Sequence, residues 1–270
     1  MGFDPIEAFR LTTVEHPGMD VEDRARHLSQ ITTAWTEMIR AHRGAAPEAG
    51  EAQRRILERY GAAVYRYLLA SLRDPDAAEE LYQEFALRFV RGDFERATSG
   101  RGRFRDFLKV VLRNLVVDTH RRRVRGPLSL TGDPAESAVD DPVEEADRQF
   151  LETCRAELLA RAWEGLAARE GSGGAPLHAL LRYRADHPEA TSARIAEVFS
   201  GQMGRPLSPE WARKWLARAR EAFADELVGE VIRSSRIDSL EELEEELIEL
   251  GLLEYCRPAI DRRTADLGPS

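Results

Sequence analysis

The apolar positions of this chain recur at helical spacing over most of its length. Ile56, Leu57, Tyr60, Val64, Tyr67, Leu68 and Leu72 form one face of a first long helix. Asp74-Pro75 interrupts it, with Asp74 placed to cap the next helix and Pro75 at that helix's first position. The next helix, from about Asp76 to Arg91, carries Ala78, Leu81, Phe85, Leu87, Phe89 and Val90 as its apolar set. Its polar positions are Glu79, Glu80, Gln83, Glu84 and Arg88, and Gly92 ends it. A third helix starts near Phe104, where Phe104, Phe107, Leu108, Val111 and Leu115 make one buried stripe. Together these predict a compact all-helical unit over 51–125.

Residues 1–50 read as a helical N-terminal extension in which Ile31, Trp35, Met38 and Ile39 have helical spacing, and 42–50 (HRGAAPEAG) as a linker. Residues 126–145 lack periodicity and are rich in Pro, Gly, Asp and Ser, which predicts a flexible acidic linker. A second helical unit is expected over 146–232. It begins with Phe150, Leu151, Cys154, Leu158, Ala162 and Leu166 on one helix, followed by a break at Gly171. A short helix over Leu177–Tyr183 and a break at Asp186-His187-Pro188 follow. Thr191 or Ser192 can cap a helix to about Gln202; Gly204 to Leu207 turns the chain, and Ser208 caps a last helix with Pro209 in its first turn. This is a helix-turn-helix arrangement, with Ala212, Leu216, Ala219, Phe223 and Leu227 as the buried stripe of the last helix. Residues 233–270 form an acidic extension, where Leu240, Leu243, Leu247, Leu250 and Leu253 give a heptad-like seam within a single acidic helix. The expected fold class is all-α: two small helical domains joined by a flexible linker, with helical extensions at both ends.

Composition changes this picture in two ways. The 270 residues carry a net charge of -9, yet positive charge is concentrated at Arg101–Arg125 and Arg213–Arg220, and acidic charge at Glu241–Glu249. Lys109 and Lys214 are the only lysines. An acidic protein with local basic patches is poorly steered to DNA by itself, which favours action within a larger assembly. The two cysteines, Cys154 and Cys256, sit in amphipathic sequence and read as buried thiols of a reducing compartment. No metal-ligand cluster, signal peptide or membrane-length apolar run is evident, and the expected location is cytoplasmic. No Ser/His/Asp, Cys/His or phosphate-loop set points to an enzyme, and no cofactor is expected.

The third helix is the principal candidate for binding chemistry. Arg105, Lys109, Arg113 and His120 fall on a face away from its apolar stripe, and Arg121, Arg122, Arg123 and Arg125 extend the charge. Such a helix suits the phosphates of nucleic acid, and Asn114 and the arginines can also read base edges. The preceding Gly/Arg-rich loop carries Phe94, Arg101 and Arg103, and Phe104 closes it. Aromatics beside cations supply a stacking face and a phosphate clamp for an unstacked base. The plainer reading is a solvated basic helix. In the helix-turn-helix, Ser208, Glu210, Trp211, Arg213, Lys214 and Arg218 lie at the start of the last helix or on its polar side, where a recognition helix meets the major groove. An ordinary helical hairpin with an exposed polar face is the alternative.

The order of these parts, with the stretches RYGAAVYRYLLASLRDPDAAEELYQEFALRF and RGRFRDFLKVVLRNLVVDTHRRR, resembles the extracytoplasmic-function (ECF) group of bacterial RNA polymerase sigma factors. The first stretch is similar to the family's region 2, whose AED-L-x-QE-type helix binds the polymerase clamp helices. The resemblance implies that Glu80, Gln83, Glu84 and Arg88 face the polymerase. The second is similar to the FRxWLxxIAxNxxxDxxRR helix that reads the -10 promoter element, with the loop from Gly92 to Arg103 where the family captures a flipped base. Arg218-Ala219-Arg220-Glu221 is similar to the RAR-E end of the family's recognition helix, which places Glu210, Trp211, Arg213 and Lys214 at the -35 element. Phe85-Ala86 and the long turn between Ala196 and Trp211 depart from the common pattern, and the two extensions resemble a planctomycete-like extended form.

The resemblance implies a promoter-specificity subunit with core RNA polymerase and promoter DNA as partners. It also allows an anti-sigma factor. The alternative is a helix-turn-helix regulator that binds DNA without polymerase. For the acidic tail two readings stand. Either it caps its own domain with its acids in water, or its leucines fold it back so that its carboxylates lie near Arg213–Arg220 and compete with DNA.

Overall fold

The computed structural model describes residues 34–94, 103–125, 142–170, 176–234, 237 and 239–265. Among these the chain is all-helical, with ten α-helices and no strand. They are α1 (Ala34–Arg43), α2 (Ala46–Leu72), α3 (Pro75–Arg91), α4 (Phe104–Arg125), α5 (Pro142–Glu170), α6 (Leu177–Asp186), α7 (Ser192–Met203), α8 (Pro209–Ser234), α9 (Leu240–Glu249) and α10 (Leu253–Ala265). Among the described residues two compact units emerge, one from 34–157 with 232–237 and the other from 158–231 with 239–265.

The first unit is built on the apolar faces of α2, α3 and α4. Ile56, Tyr60, Val64, Tyr67 and Leu68 meet Leu81, Phe85 and Phe89, and Phe104, Leu108, Val111, Leu112 and Leu115 close over them. The expected punctuation is present. The Asp74 carboxylate accepts from the Asp76 and Ala77 amides at 3.1 and 3.2 Å, satisfying two donors at the start of α3. Gly92 ends α3 at φ 82°, a left-handed conformation that glycine adopts without steric cost.

The linker expected at 42–50 is helical from Ala46. Pro47 sits in the first turn of α2, where a missing N–H costs nothing, and Gly50 is carried inside the helix. α1, the described part of the N-terminal extension, packs on the unit, while Ile31 lies outside the described residues. Ala34, Met38 and Ala41 of α1 are buried in its core, and Glu37 pairs with Arg55 at 2.9 Å. The Gln53 side-chain amide donates to the carbonyls of Ala41 and Val90 at 3.0 and 3.1 Å, serving the ends of α1 and α3 together.

The boundary expected at Ala146 falls elsewhere. α5 begins at Pro142, so 142–145 are helical rather than linker, while 126–141 lie outside the described residues. Ala146, Phe150 and Cys154 are buried in the first unit's core, where the Phe150 ring stands edge-on to Tyr67 at 6.2 Å. The end of α8 belongs to this unit as well: the Tyr60 hydroxyl donates to the Ser234 carbonyl at 3.0 Å. Apolar spacing shows that a helix has a buried side but not which core receives it.

In the second unit Leu180, Ile195, Ala196, Phe199, Ala212 and Leu216 join α6, α7 and α8. The tail forms two helices rather than the one expected, broken at Gly251, whose φ is 66°. Leu243, Leu247 and Leu250 of the seam are buried, while Leu240 is exposed. Both cysteines are free and buried, and burial pushes the Cys256 thiol up to about 12.

Since Phe150 fills the first unit's core from beyond the expected linker, Phe150→Ala should destabilise that unit by about 3–5 kcal/mol. Urea unfolding followed by circular dichroism measures this. An unchanged midpoint would remove α5 from the core.

Candidate nucleic-acid interface

α4 presents a largely cationic front over an apolar back. Arg113, Asn114, His120, Arg121 and Arg122 are exposed and Lys109 is half-buried. Val110 and Val117 are exposed among them, at 59% and 39%, which gives the front an apolar component that sequence periodicity did not single out. Their spacing of seven, off the 104/108/111/115 stripe, was the available signal. The cations of the front have acids nearby. Lys109 lies 3.4 Å from Asp106, Arg113 3.5 Å from Asp147 of α5, Arg121 3.8 Å from Asp118, and Arg122 3.2 Å from Glu84 of α3. Exposed pairs of this kind contribute about 0–1 kcal/mol each, so a phosphate can displace the acids. Arg113 also bonds the Tyr67 phenol, whose pKa is raised chiefly by burial.

Two candidates are corrected. Phe104 is completely buried, its ring 5.0 Å from Tyr60 and 5.8 Å from Phe107, so it cannot offer a face to a base without leaving the core. Arg105 is 4% exposed and does not belong to the front. It falls at i, i+3, i+7 with Leu108 and Leu112, at the edge of the buried arc rather than opposite it. Phe94 remains half-buried and stacks on Phe85 at 5.7 Å, which leaves it partly accessible at the end of α3. Arg103 is half-buried, its carbonyl accepting from the Asp106 and Phe107 amides at the start of α4. Arg101 lies outside the described residues.

A second surface lies on α3. Glu80, Gln83, Glu84, Leu87, Arg88, Arg91 and Asp93 line an open groove. Leu87 and Val90, read from the sequence as core, are 56% and 49% exposed. The buried positions are Ala77, Ala78, Leu81, Phe85 and Phe89, and Leu87 instead follows Glu80, Gln83 and Glu84 on the polar side. The Glu84 carboxylate receives Arg88 from its own helix and Arg122 from α4.

In the second unit the turn before α8 is pinned by serines. The Ser200 hydroxyl donates to the Ala196 carbonyl at 2.6 Å and accepts from the Leu207 amide at 2.8 Å. Ser208 caps α8, its hydroxyl accepting from the Trp211 amide at 3.2 Å. Glu210, Arg213, Lys214 and Arg218 are exposed and Trp211 is half-buried, close to Phe199 and Trp215. Glu210 pairs with Arg213 at 2.6 Å, and a backbone hydrogen bond, Ser208 and Arg213 hold its carboxyl below the usual range. Trp215, which sequence reasoning passed over, carries the Arg218 guanidinium 4.8 Å above its ring. The Trp-x-x-Arg spacing was the signal for this cation–π pair.

The tail docks further along α8. Tyr255 meets Phe223 at 5.7 Å, Arg262 pairs with Asp225 at 3.0 Å, and Arg263 donates to the Asp225 carbonyl at 3.1 Å. With the tail in place Arg213, Lys214 and Arg218 remain exposed. Only Arg220 is half-buried, its pKa lowered by burial and then by Arg184. The exposed cations favour a capping role over masking, although Glu246 of the tail is buried at 1% rather than in water.

Residues 56–126 match the family model Sigma-70 region 2. The match supports a sigma-70 family factor. It covers α2 from Ile56 through α4, including both surfaces of the first unit, and stops before α5. No curated protein and no solved structure matches the chain. Among the described residues no helix is long and apolar enough to cross a membrane.

Deleting Ser239–Ser270 removes the buried Leu243, Leu247, Tyr255 and Ile260. The expected result is a lowered urea midpoint with no gain in DNA affinity at low salt. Tighter binding by a truncated chain that stays folded would restore the masking reading.

Proposed function

We propose that this chain is a sigma factor of the ECF type that directs core RNA polymerase to particular promoters. The observation that carries this reading is the position of the region 2 match: it falls on the helices whose exposed sides form the cationic α4 front and the α3 groove. In the proposal the α3 side of Glu80, Gln83, Glu84 and Arg88, with Leu87 and Val90, meets the polymerase. Lys109, Arg113, Asn114, His120, Arg121 and Arg122 meet the -10 element. Phe94, partly accessible beside the loop, is the aromatic able to stack on an unpaired base; Phe104 supports that site from within the core. Ser208, Glu210, Trp211, Arg213, Lys214 and Arg218 meet the -35 element. The protein then acts by binding, with no covalent chemistry of its own.

Run-off transcription with core polymerase on genomic fragments tests the whole reading, and absence of any promoter-specific product refutes it. Asn114→Ala should lower transcription from a responsive promoter by about 1–3 kcal/mol of base discrimination while polymerase pull-down is unchanged. Equal loss in both assays would contradict the assignment. Gln83→Ala combined with Glu84→Arg should weaken core binding while the chain stays folded, since the lost pairs of Glu84 with Arg88 and Arg122 contribute about 0–1 kcal/mol each. An unchanged dissociation constant would remove α3 from the polymerase surface.

A further inference from the structure

The two surfaces of the first unit are joined through one carboxylate. Arg122 reaches from the last turns of α4 to Glu84 on α3, with its Nη2 3.2 and 3.4 Å from the two carboxylate oxygens and its Nη1 3.4 Å from Oε2. Arg88, one turn along α3, reaches the same carboxylate. Glu84 is the less exposed member, at 29% of its side chain against 57% for Arg122, so the carboxylate is held and the arginine comes to it. We propose that Glu84 is a handover residue: in the free chain it neutralises Arg122, and a cationic group of the polymerase that takes Glu84 releases Arg122 to the DNA backbone. This rests on the polymerase and DNA assignments above.

The exchange is a competition for a single anion. A carboxylate has room for two guanidinium groups, and both places are taken. A third cation arriving at the groove displaces the partner held less firmly. Arg88 is anchored on the same helix at i+4, whereas Arg122 spans from another helix and is the more exposed. Once Glu84 is neutralised elsewhere, Arg122 and Arg88 repel one another, and a phosphate becomes the better counter-ion for Arg122. The exchange needs no change of fold, only a rotation of one exposed side chain. It would make a chain of net charge -9 a weak DNA binder alone and a stronger one on the polymerase.

The test measures binding of the full chain to a fluorescent random-sequence single-stranded oligonucleotide across a salt series, for wild type, Glu84→Gln, Arg122→Gln and the double variant. Glu79→Gln, an equal charge change on the same helix, is the control. Glu84→Gln is expected to bind about two- to fivefold tighter than the control, the factor set by the strength of an exposed ion pair. Its salt slope should steepen by about 0.7, one added phosphate contact on a single strand. Arg122→Gln should abolish that gain, so that the double variant binds like the single Arg122 variant. With core polymerase bound, the advantage of Glu84→Gln should vanish. A Glu84→Gln chain no tighter than the control, a gain that survives Arg122→Gln, or an advantage that persists in the holoenzyme would each overturn the proposal. Run-off transcription by the wild-type chain tests the sigma-factor reading separately, so the handover can fail while that reading stands.

Discussion

The first unit depends on burying one side of α4. Phe104, Leu108, Leu112 and Leu115 are all within the core, and they are the reason a helix so rich in arginine stays folded onto α2 and α3. Burial of four such side chains contributes on the order of several kcal/mol, which exceeds anything the surface ion pairs supply. It also sets the rotation of the helix. With that side committed to the core, Asn114, Val117 and Arg121 turn outward, and Arg113 turns to Asp147 of α5. The same commitment takes Phe104 and Arg105 out of the interface.

Electrostatics then tunes what packing has arranged. Charges of opposite sign stand within reach of the front: Asp106 and Asp118 on α4 itself, Asp147 from α5 and Glu84 from α3. These pairs are too weak to hold the fold but strong enough to moderate the attraction of α4 for phosphate. The clustered arginines at the end of α4 also suit the partial negative charge of a helix C-terminus. The chain is acidic overall, so its capacity for nucleic acid resides in geometry rather than in bulk charge.

The second unit rests on short-range hydrogen bonds and aromatic packing. Ser200 and Ser208 fix the turn and the start of α8, and Trp211 and Trp215 support its polar side from beneath. The tail contributes through Tyr255, Cys256 and Ile260, which are buried, and through Arg262 on Asp225. Its acids are the most prominent feature of the tail's sequence, yet its apolar residues and two arginines supply the contacts to α8 described above.

Local chemistry made much of this legible from the chain alone. Asp74-Pro75, Gly92, Thr191 and Ser208-Pro209 punctuate helices through caps and backbone freedoms that involve only neighbouring residues, and the helices begin and end beside them. The 104/108/111/115 stripe likewise follows from periodicity alone, and the family match falls on the same stretch. Tertiary structure decided what periodicity cannot express. Phe150 could have packed in either unit, and only the shape of the core left beside Tyr67 chose. Leu87 and Val90 are apolar like Leu81, but α3 turns the side with Leu81, Phe85 and Phe89 to the core and leaves them outside. Gln53 serving two helix ends, and Arg122 reaching Glu84 across 38 positions of sequence, join residues whose relation exists only once the helices are packed. Spacing along a chain reports which residues share a face; what each face meets is settled by the competition among all faces for one core.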